Sequence, residues 1–323
     1  DVIQAIAQSA GLPNDVLLVF VDDYLDPRLT LLSQQLDRAS KNWLLIKPFG
    51  QKTMVGPLFN HKDENKACYQ CLRDRLAQNS PVRIWHTRLQ KASCVAPIPL
   101  LIDNKCIEHT LDILNAGRFD SGKSLMYTQS WQARSFNCHS VDKRPQCGTC
   151  GDQNRFVKDN HGSIELQNCI RDLDADGGYR TLPREVFLEN TLGLVDAQTG
   201  IIAELEEISG NEQDQGMSIY RAAYFQNTFF DKNITVDTCI QQSLGKGISK
   251  AQSKCSALGE ALERQAAQYV GDEGIICATI DQLNHGVYIP QELSSFSEKQ
   301  YDEFLNFYGP SLQCPQWVEK YSV

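Results

Sequence analysis

Apolar and polar residues follow one another in the first part of the chain in a pattern typical of an α/β domain. Residues 15–22 (DVLLVFVD) form a Val-rich apolar run, which predicts a strand buried on both faces. Residues 29–40 carry apolar positions at helical spacing, and Trp43–Ile46 is a second buried run. Strand, helix and strand in this order predict a βαβ unit. A third strand, antiparallel to its neighbour, is predicted over Thr53–Leu58.

Further along, the pattern predicts a helix over 105–116, a strand pair within 124–138, and strands over 199–208 and 218–225. Between the two groups of elements the chain is polar and rich in Asp, Asn and Gly, which predicts a linker. We therefore expect a first domain over 1–155, a linker over 156–176 and a second, α+β domain over 177–323.

Residues 245–265 (GKGISKAQSKCSALGEALERQ) predict an amphipathic helix that begins near Ser249. One arc of this helix carries Ser249, Ser253, Ser256, Glu260, Glu263 and Arg264, and the other carries Ala251, Cys255, Ala257, Leu258, Ala261, Leu262 and Tyr269. Hydroxyls, two carboxylates one turn apart and an upstream lysine are groups that can hold Mg²⁺ and phosphate. On pattern alone, the alternative is an ordinary surface helix with a solvated charged face.

Two Cys-x-x-Cys knuckles, Cys68–Cys71 and Cys147–Cys150, are candidate metal ligands. Four thiolates fill a tetrahedral coordination shell, so this pattern predicts a structural Zn²⁺ rather than a catalytic one. A redox-active pair or simply buried thiols are the alternatives, and His61 or His139 could replace one cysteine. The other eight cysteines show no pairing pattern and are expected to be core or surface thiols.

Composition narrows the choice of function. A formal net charge of −9 argues against non-specific nucleic-acid binding. The absence of a long apolar run argues against a membrane span, and the first residues show no signal-peptide pattern. We therefore expect a cytoplasmic protein, in which the twelve cysteines are reduced.

Three segments together resemble the azoline-forming peptide cyclodehydratases. GPLF (56–59), ACYQCL (67–72) and RPQCGTCGD (144–152) resemble the ubiquitin-activating-enzyme-like scaffold domain of these enzymes. Residues 177–208, 218–225 and 245–264 resemble the start of their YcaO domain, most specifically in SALGEALER (256–264). The resemblance implies a Rossmann-like, zinc-bearing scaffold followed by the first half of a YcaO-type domain.

By this resemblance, the chain belongs to an enzyme that uses ATP and Mg²⁺ to convert Cys, Ser or Thr of a ribosomally made precursor peptide to thiazoline or oxazoline. Glu260 and Glu263 would hold Mg²⁺, while Lys246 and Ser256 would contact the nucleotide. Arg264 would either contact phosphate or orient a glutamate. The complete protein is expected to be a homodimer.

The sequence also departs from the family pattern. The second carboxylate-rich helix, the proline-rich tail and the winged-helix element that captures the leader peptide are not seen, so we expect an internal fragment that is inactive alone. A zinc-stabilised scaffold that presents the peptide to a separate enzyme is the alternative function. An adenylating enzyme is disfavoured because no glycine-rich nucleotide loop precedes the first strand.

Overall fold

A computed structural model describes residues 16–48, 50, 52–60, 63, 65–88, 104–119, 122–130, 132–155, 166, 168, 172–173, 179–208, 216–226, 235–268, 277–283, 297 and 299–300. The chain divides into two compact units, residues 1–273 and 274–323. In the second unit the structure describes a 3₁₀ turn, Ile280–Gln282. All elements described below belong to the first unit.

A five-stranded sheet in the order β1–β2–β3–β4–β5 forms the first half of this unit. Its strands are β1 (Leu17–Phe20), β2 (Trp43–Lys47), β3 (Lys52–Phe59), β4 (Ser124–Ser130) and β5 (Asn137–Val141). Helix α1 (Arg28–Arg38) connects β1 to β2, which are parallel, so the predicted βαβ unit is confirmed. The prediction that β1 is buried on both faces is wrong, because β1 is the edge strand of the described sheet and Leu17 and Phe20 are exposed. The other neighbouring strands are antiparallel, including β3 against β2 as predicted.

Both faces of this sheet are covered, which explains why β2 is an unbroken apolar run. Three helices follow β3: α2 (Tyr69–Gln78), α3 (Pro81–Arg88) and α4 (Asn104–Ala116). On one face Trp43 and Leu45 belong to the same core as Leu72 of α2. On the other face Leu44 packs in a core with Ile113 of α4. Successive side chains of a strand point to opposite faces, so a strand between two cores needs apolar residues at every position.

An antiparallel three-stranded sheet, ordered β10–β9–β8, forms the second half of the unit. Its strands are β8 (Glu204–Glu207), β9 (Ser218–Phe225) and β10 (Ile240–Gly247), preceded by a two-stranded ribbon of β6 (Asp172–Leu173) and β7 (Tyr179–Arg180). The accompanying helices are α5 (Arg184–Thr191), α6 (Val236–Cys239) and α7 (Lys250–Ala266), with a 3₁₀ turn at Leu192–Leu194.

Helix α7 covers one face of this sheet. Tyr220, Ala222 and Tyr224 of β9 share a core with Ala257, Leu258 and Ala261 of α7. The close approach depends on Gly245, because a Cβ atom there would overlap the backbone of Ser253 and Ala257. The strand β10 therefore supports the helix that carries the candidate carboxylates.

The fold is mixed α/β, as predicted, and the described residues form two main sheets. The predicted strand 218–225 is confirmed, and the strand predicted over 199–208 is shorter, beginning at Glu204. Most of the predicted linker, 156–176, lies outside the described residues. In the part of the chain that the structure describes, no helix is long and apolar enough to cross a membrane.

Candidate functional site

The two cysteine knuckles meet in one cluster. Cys68 Sγ lies 3.6 Å from Cys147 Sγ, Cys71 Sγ lies 3.5 Å from Cys150 Sγ, and Cys68 and Cys71 are 3.9 Å apart. All four sulfurs lie within 4.8 Å of one another. A tetrahedral ion with Zn–S bonds of about 2.3 Å places its sulfurs about 3.8 Å apart. The separations are far too long for a disulfide, at about 2 Å, and fit a shared tetrahedral ion. The prediction that four sulfurs gather is confirmed.

Local backbone geometry presents these sulfurs. Cys68 is the N-cap of α2 and Cys71 lies in its first turn, while Cys147 and Cys150 occupy the turn after β5. Gly151 closes that turn through its N–H bond to Cys147 O at 2.8 Å, and a Cβ there would overlap the Pro145 carbonyl oxygen. The N–H of Arg144 donates to Cys71 Sγ at 3.3 Å, and such bonds stabilise a thiolate.

The titration of the cluster fits a cation site. The hydrogen bond from Cys68 lowers the pKa of Cys71 to about 5, although burial opposes this. Hydrogen bonding to Cys71 and burial raise the pKa of Cys68, and burial raises that of Cys150 to about 11. Cys71 therefore ionises more readily than Cys68 and Cys150, which resist ionisation unless a positive ion lies between the sulfurs. The donor set suits Zn²⁺, and four sulfurs leave no open coordination position.

Neither histidine named as a possible substitute is seen in this cluster. Both ring nitrogens of His139 are occupied elsewhere, with Nε2 2.8 Å from Thr128 Oγ1 and Nδ1 2.7 Å from Asp196 Oδ2. The suggestion that His139 replaces a cysteine is therefore wrong. His61 lies outside the described residues.

The second candidate site is helix α7. It begins where the sequence predicts, with Ser249 as N-cap accepting a hydrogen bond from the Gln252 N–H at 3.2 Å. Its apolar arc is confirmed, since Cys255, Ala257, Leu258 and Ala261 are buried. Tyr269, predicted on the same arc, lies outside the described residues.

Along the outer arc, Ser256, Glu260 and Glu263 are spaced by four and three residues and so share one face. Ser256 and Glu263 are exposed, and the Glu260 side chain is 38% exposed. Two nitrogens of Arg264 contact the same oxygen of Glu260, Oε1. Arg264 Nη2 lies 2.7 Å from it, and Arg264 Nε donates to it at 2.9 Å. Mg²⁺ in phosphate sites is commonly held by one or two carboxylates and the phosphates, so this pair of glutamates fits that role.

Two residues that the sequence grouped with Glu260 and Glu263, Ser253 and Lys246, do not lie on the outer face of α7. Ser253, placed on the polar arc by the sequence, is fully buried, with Oγ 3.0 Å from Ser218 Oγ and 3.2 Å from Ser249 O. Its placement on the solvated face is therefore wrong. Lys246 is exposed on β10, where side chains alternate, so it lies on the sheet face opposite to Gly245 and α7. The described residues do not bring its ammonium group beside Glu260 and Glu263.

Comparisons with known proteins found one family model and several solved structures that are similar to this chain. Residues 244–322, which include α7, match the family model of YcaO cyclodehydratases, described as ATP- and Mg²⁺-binding. No curated protein matches the chain. The fold is similar to a solved heterocyclase in complex with substrate and cofactor, with a TM-score of 0.76, 25% identity, and coverage of 95% of this chain and 43% of that chain.

A second similar structure is that of the heterocyclase TruD, with a TM-score of 0.62, 22% identity, and coverage of 94% of this chain and 39% of that one. The chain thus spans 39–43% of the length of these solved relatives. The family match is confined to residues 244–322, whereas the similarity of fold to the two solved heterocyclases extends over 94–95% of this chain.

Proposed function

We propose that this chain is part of an ATP-dependent peptide cyclodehydratase that forms thiazoline or oxazoline rings from Cys, Ser or Thr of a ribosomally made precursor peptide. The observation that carries the proposal is the coincidence of α7 and its outer glutamates with the segment similar to YcaO cyclodehydratases. Because the chain covers 43% of the heterocyclase it resembles, the activity is proposed for the complete protein, and the 323 residues alone are expected to be inactive.

In the proposed reaction, the side chain of the substrate residue attacks the preceding backbone carbonyl, and the resulting oxygen leaves as phosphate. ATP supplies the phosphoryl group that makes this oxygen a good leaving group, and Mg²⁺ neutralises charge on the phosphates. The role of the protein is to hold and orient these groups, which requires fixed carboxylates on a rigid element. Helix α7, fastened to β10 and β9, is such an element.

Each predicted residue has a proposed role. Glu260 and Glu263 hold Mg²⁺, and Ser256 on the same face contacts the nucleotide. Arg264 orients Glu260, which its two bonds to Oε1 support. Contact of Arg264 with phosphate, and contact of Lys246 with the nucleotide, remain predictions.

The five-stranded sheet with its cysteine cluster is proposed as the zinc-stabilised, ubiquitin-activating-enzyme-like scaffold over 1–155, with 156–176 as linker and 177–323 as the first half of the YcaO domain. The cluster supports a structural role because its four sulfurs would enclose the ion completely. We propose a cytoplasmic homodimer whose partner is the precursor peptide, with neither nucleic acid nor membrane as a partner.

The proposal is tested by replacing both glutamates, Glu260→Ala and Glu263→Ala, in the complete protein that contains this chain. We expect ATP-dependent loss of water from the precursor peptide, followed by mass spectrometry, to be abolished while zinc content stays unchanged. The matched control replaces Glu185 and Glu189, two exposed glutamates one turn apart on α5, and should retain activity. Unaltered ring formation in the first variant would remove α7 from the active site and favour the scaffold function instead.

A further inference from the structure

The two elements that present the cysteine cluster also contact the second half of the unit. Helix α2 carries the first knuckle at its beginning, and β5 leads into the turn that carries the second. At the other end of α2, the side chain of Asn79 donates to the carbonyl oxygens of Gln198 and Gly200. In the middle of β5, His139 contacts Asp196. Both elements that position the sulfurs therefore hold the same loop.

This connecting loop (residues 195–202) is closed by its own hydrogen bonds. Asp196 Oδ1 accepts from the N–H groups of Gln198 and Thr199, both at 2.8 Å, while Asp196 Oδ2 faces β5. The Gly200 N–H donates to Asp196 O at 2.8 Å, and a Cβ atom on Gly200 would overlap the Asp196 amide nitrogen. A polar network whose members are satisfied in this way is rigid, so a displacement of Asp196 displaces the loop.

The connecting loop ends in the core beneath α7. The side chain of Ile202 is fully buried and belongs to the same core as Leu258 and Ala261 of α7. The next residue, Ala203, donates its N–H to Ala223 O of β9 at 2.7 Å. Protein interiors are close-packed and transmit strain, so the position of Ile202 affects the position of the helix.

Polar contacts join the two halves of the unit at this loop. Among the described residues, the cores around the five-stranded sheet and the core beneath α7 are separate clusters. The His139 ring is buried, and Thr128 occupies its second nitrogen, so the orientation of the ring is fixed. Hydrogen bonds weaken steeply with distance and misalignment. The contacts to the loop are therefore sensitive to small displacements of α2 and β5.

An ion in the cysteine cluster would fix α2 and the turn after β5 relative to each other. The four sulfurs lie within 4.8 Å of one another, so one ion can bond to both knuckles. Without an ion, the two knuckles are joined by weaker contacts, such as the hydrogen bond from the Arg144 N–H to Cys71 Sγ. Loss of the ion would therefore allow the two elements to move apart.

From these observations we propose that Asn79 and His139 are positioning residues, which transmit the metal state of the cysteine cluster through the connecting loop to helix α7. The bound metal holds α7 in place, and loss of the metal loosens it. This inference goes beyond the proposed reaction, because it gives the cluster a regulatory effect on the other half of the unit. Only the consequence for catalysis rests on the proposed function.

The test is hydrogen–deuterium exchange of the complete protein that contains this chain, with zinc bound and after its removal by a chelator. We expect zinc removal to raise the exchange rates of the connecting loop and of α7 at least about fivefold. The rates of α4, which packs on the other face of the five-stranded sheet, should change less than about twofold. Unchanged rates in the connecting loop would overturn the proposal. An equal rise in α4 would also overturn it, since this would indicate a general loosening of the fold.

The second measurement uses the reciprocity of linked equilibria. If the metal acts on the loop, the loop acts on metal affinity by the same factor. Asn79→Ala removes two of the contacts, so the zinc affinity, measured by competition with a chromophoric chelator, should fall at least about fivefold. Asn137→Ala, at an exposed residue of β5, is the matched control and should keep the affinity of the wild type. Equal zinc affinity of Asn79→Ala and the wild type would contradict the proposed role of Asn79.

A second variant keeps the test decisive if Asn79→Ala fails to fold, as judged by circular dichroism. In His139→Gln the amide can replace Nε2 but not Nδ1, so the contact with Thr128 is kept and the contact with Asp196 is lost. This variant should show the same loss of zinc affinity and faster exchange in the connecting loop with zinc bound. Neither measurement involves ATP, so the result is independent of the glutamate test of the proposed function.

Discussion

His139 Nδ1 lies 2.7 Å from Asp196 Oδ2, and this contact joins β5 of the first sheet to the loop that precedes β8 of the second. Thr128 holds the other ring nitrogen of His139. Next to this contact, Asn79 Nδ2 at the end of α2 donates to the carbonyl oxygens of Gln198 and Gly200, each at 3.0 Å. A short polar network therefore connects the sheet beside the cysteine cluster to the part of the chain that carries α7.

This network predicts a specific dependence of stability on pH. Burial alone would raise the pKa of Asp196, but hydrogen bonds from His139 and from the Thr199 and Gln198 N–H groups outweigh it and lower the pKa to about 2. An unfolded aspartate titrates near about 3.9, so the stabilisation is fully present above about pH 4 and is lost as the pH falls through about 2. Because Asp196 is partly exposed, solvent screening reduces this stabilisation, and Asp196→Asn should remove about 1 kcal/mol of unfolding free energy at pH 7.

Urea unfolding of the wild type and of Asp196→Asn, measured from neutral to acidic pH, checks this expectation. The difference between the two proteins should shrink as the pH is lowered. Asp112→Asn, at an exposed carboxylate on α4, is the control and should change stability by less than about 0.5 kcal/mol. A constant difference at all pH values would show that Asp196 does not stabilise the fold through its charge.

The contrast between this network and the cysteine cluster shows what the sequence can predict. Cys68 and Cys71 are recognisable because Cys-x-x-Cys is a typical metal-binding spacing. Their contact with the second knuckle was therefore predictable, although Cys68 and Cys147 are 79 residues apart. His139 and Asp196 are 57 residues apart in ordinary contexts, and only the fold brings them together. No local pattern could have identified the pair.

A similar distinction applies to secondary structure. The unbroken apolar run of β2 and the periodic apolar stripe of α7 are strong local signals, and both elements were predicted. Strand β10 was missed because its sequence, IQQSLGKG, contains two glycines and few β-formers. Its stability comes from pairing with β9 along its whole length and from contact with α7, which are tertiary effects.

Replacement of one cysteine ligand should show how much the bound ion contributes to the stability of the protein. A bound ion present at a thousand times its Kd stabilises a protein by about 4 kcal/mol, and loss of a ligand forfeits most of this. Cys150→Ser should therefore lower the zinc content, measured by atomic emission, from one ion per cluster to near zero, and should lower the thermal midpoint. Cys277→Ser, at an exposed cysteine, should change neither quantity. Zinc-free wild-type protein with an unchanged thermal midpoint would contradict the structural role.

Two glycines, Gly245 of β10 and Gly259 of α7, should respond oppositely to replacement by alanine. Gly245→Ala forces a methyl group into the backbone of α7 and should destabilise the protein by about 1–3 kcal/mol. Gly259 lies within α7, and among the described residues no atom beyond the adjacent helix backbone lies within 4 Å of an added Cβ, so Gly259→Ala should stabilise the protein by up to about 1 kcal/mol. Chemical denaturation measures both. Equal effects of the two substitutions would show that α7 does not pack directly on β10.

The last prediction concerns two serines of α7 that the sequence alone could not distinguish. Ser253→Ala removes a buried hydroxyl and leaves Ser218 Oγ without its partner, so it should cost about 1–2 kcal/mol of unfolding free energy. Ser256 is exposed on the face of Glu260 and Glu263, so Ser256→Ala should change stability by less than about 0.5 kcal/mol. In the complete protein the order of effects should reverse for nucleotide affinity, measured as the KM for ATP, because only Ser256 lies on the outer face. A higher KM for Ser253→Ala than for Ser256→Ala would place the nucleotide on another side of the helix.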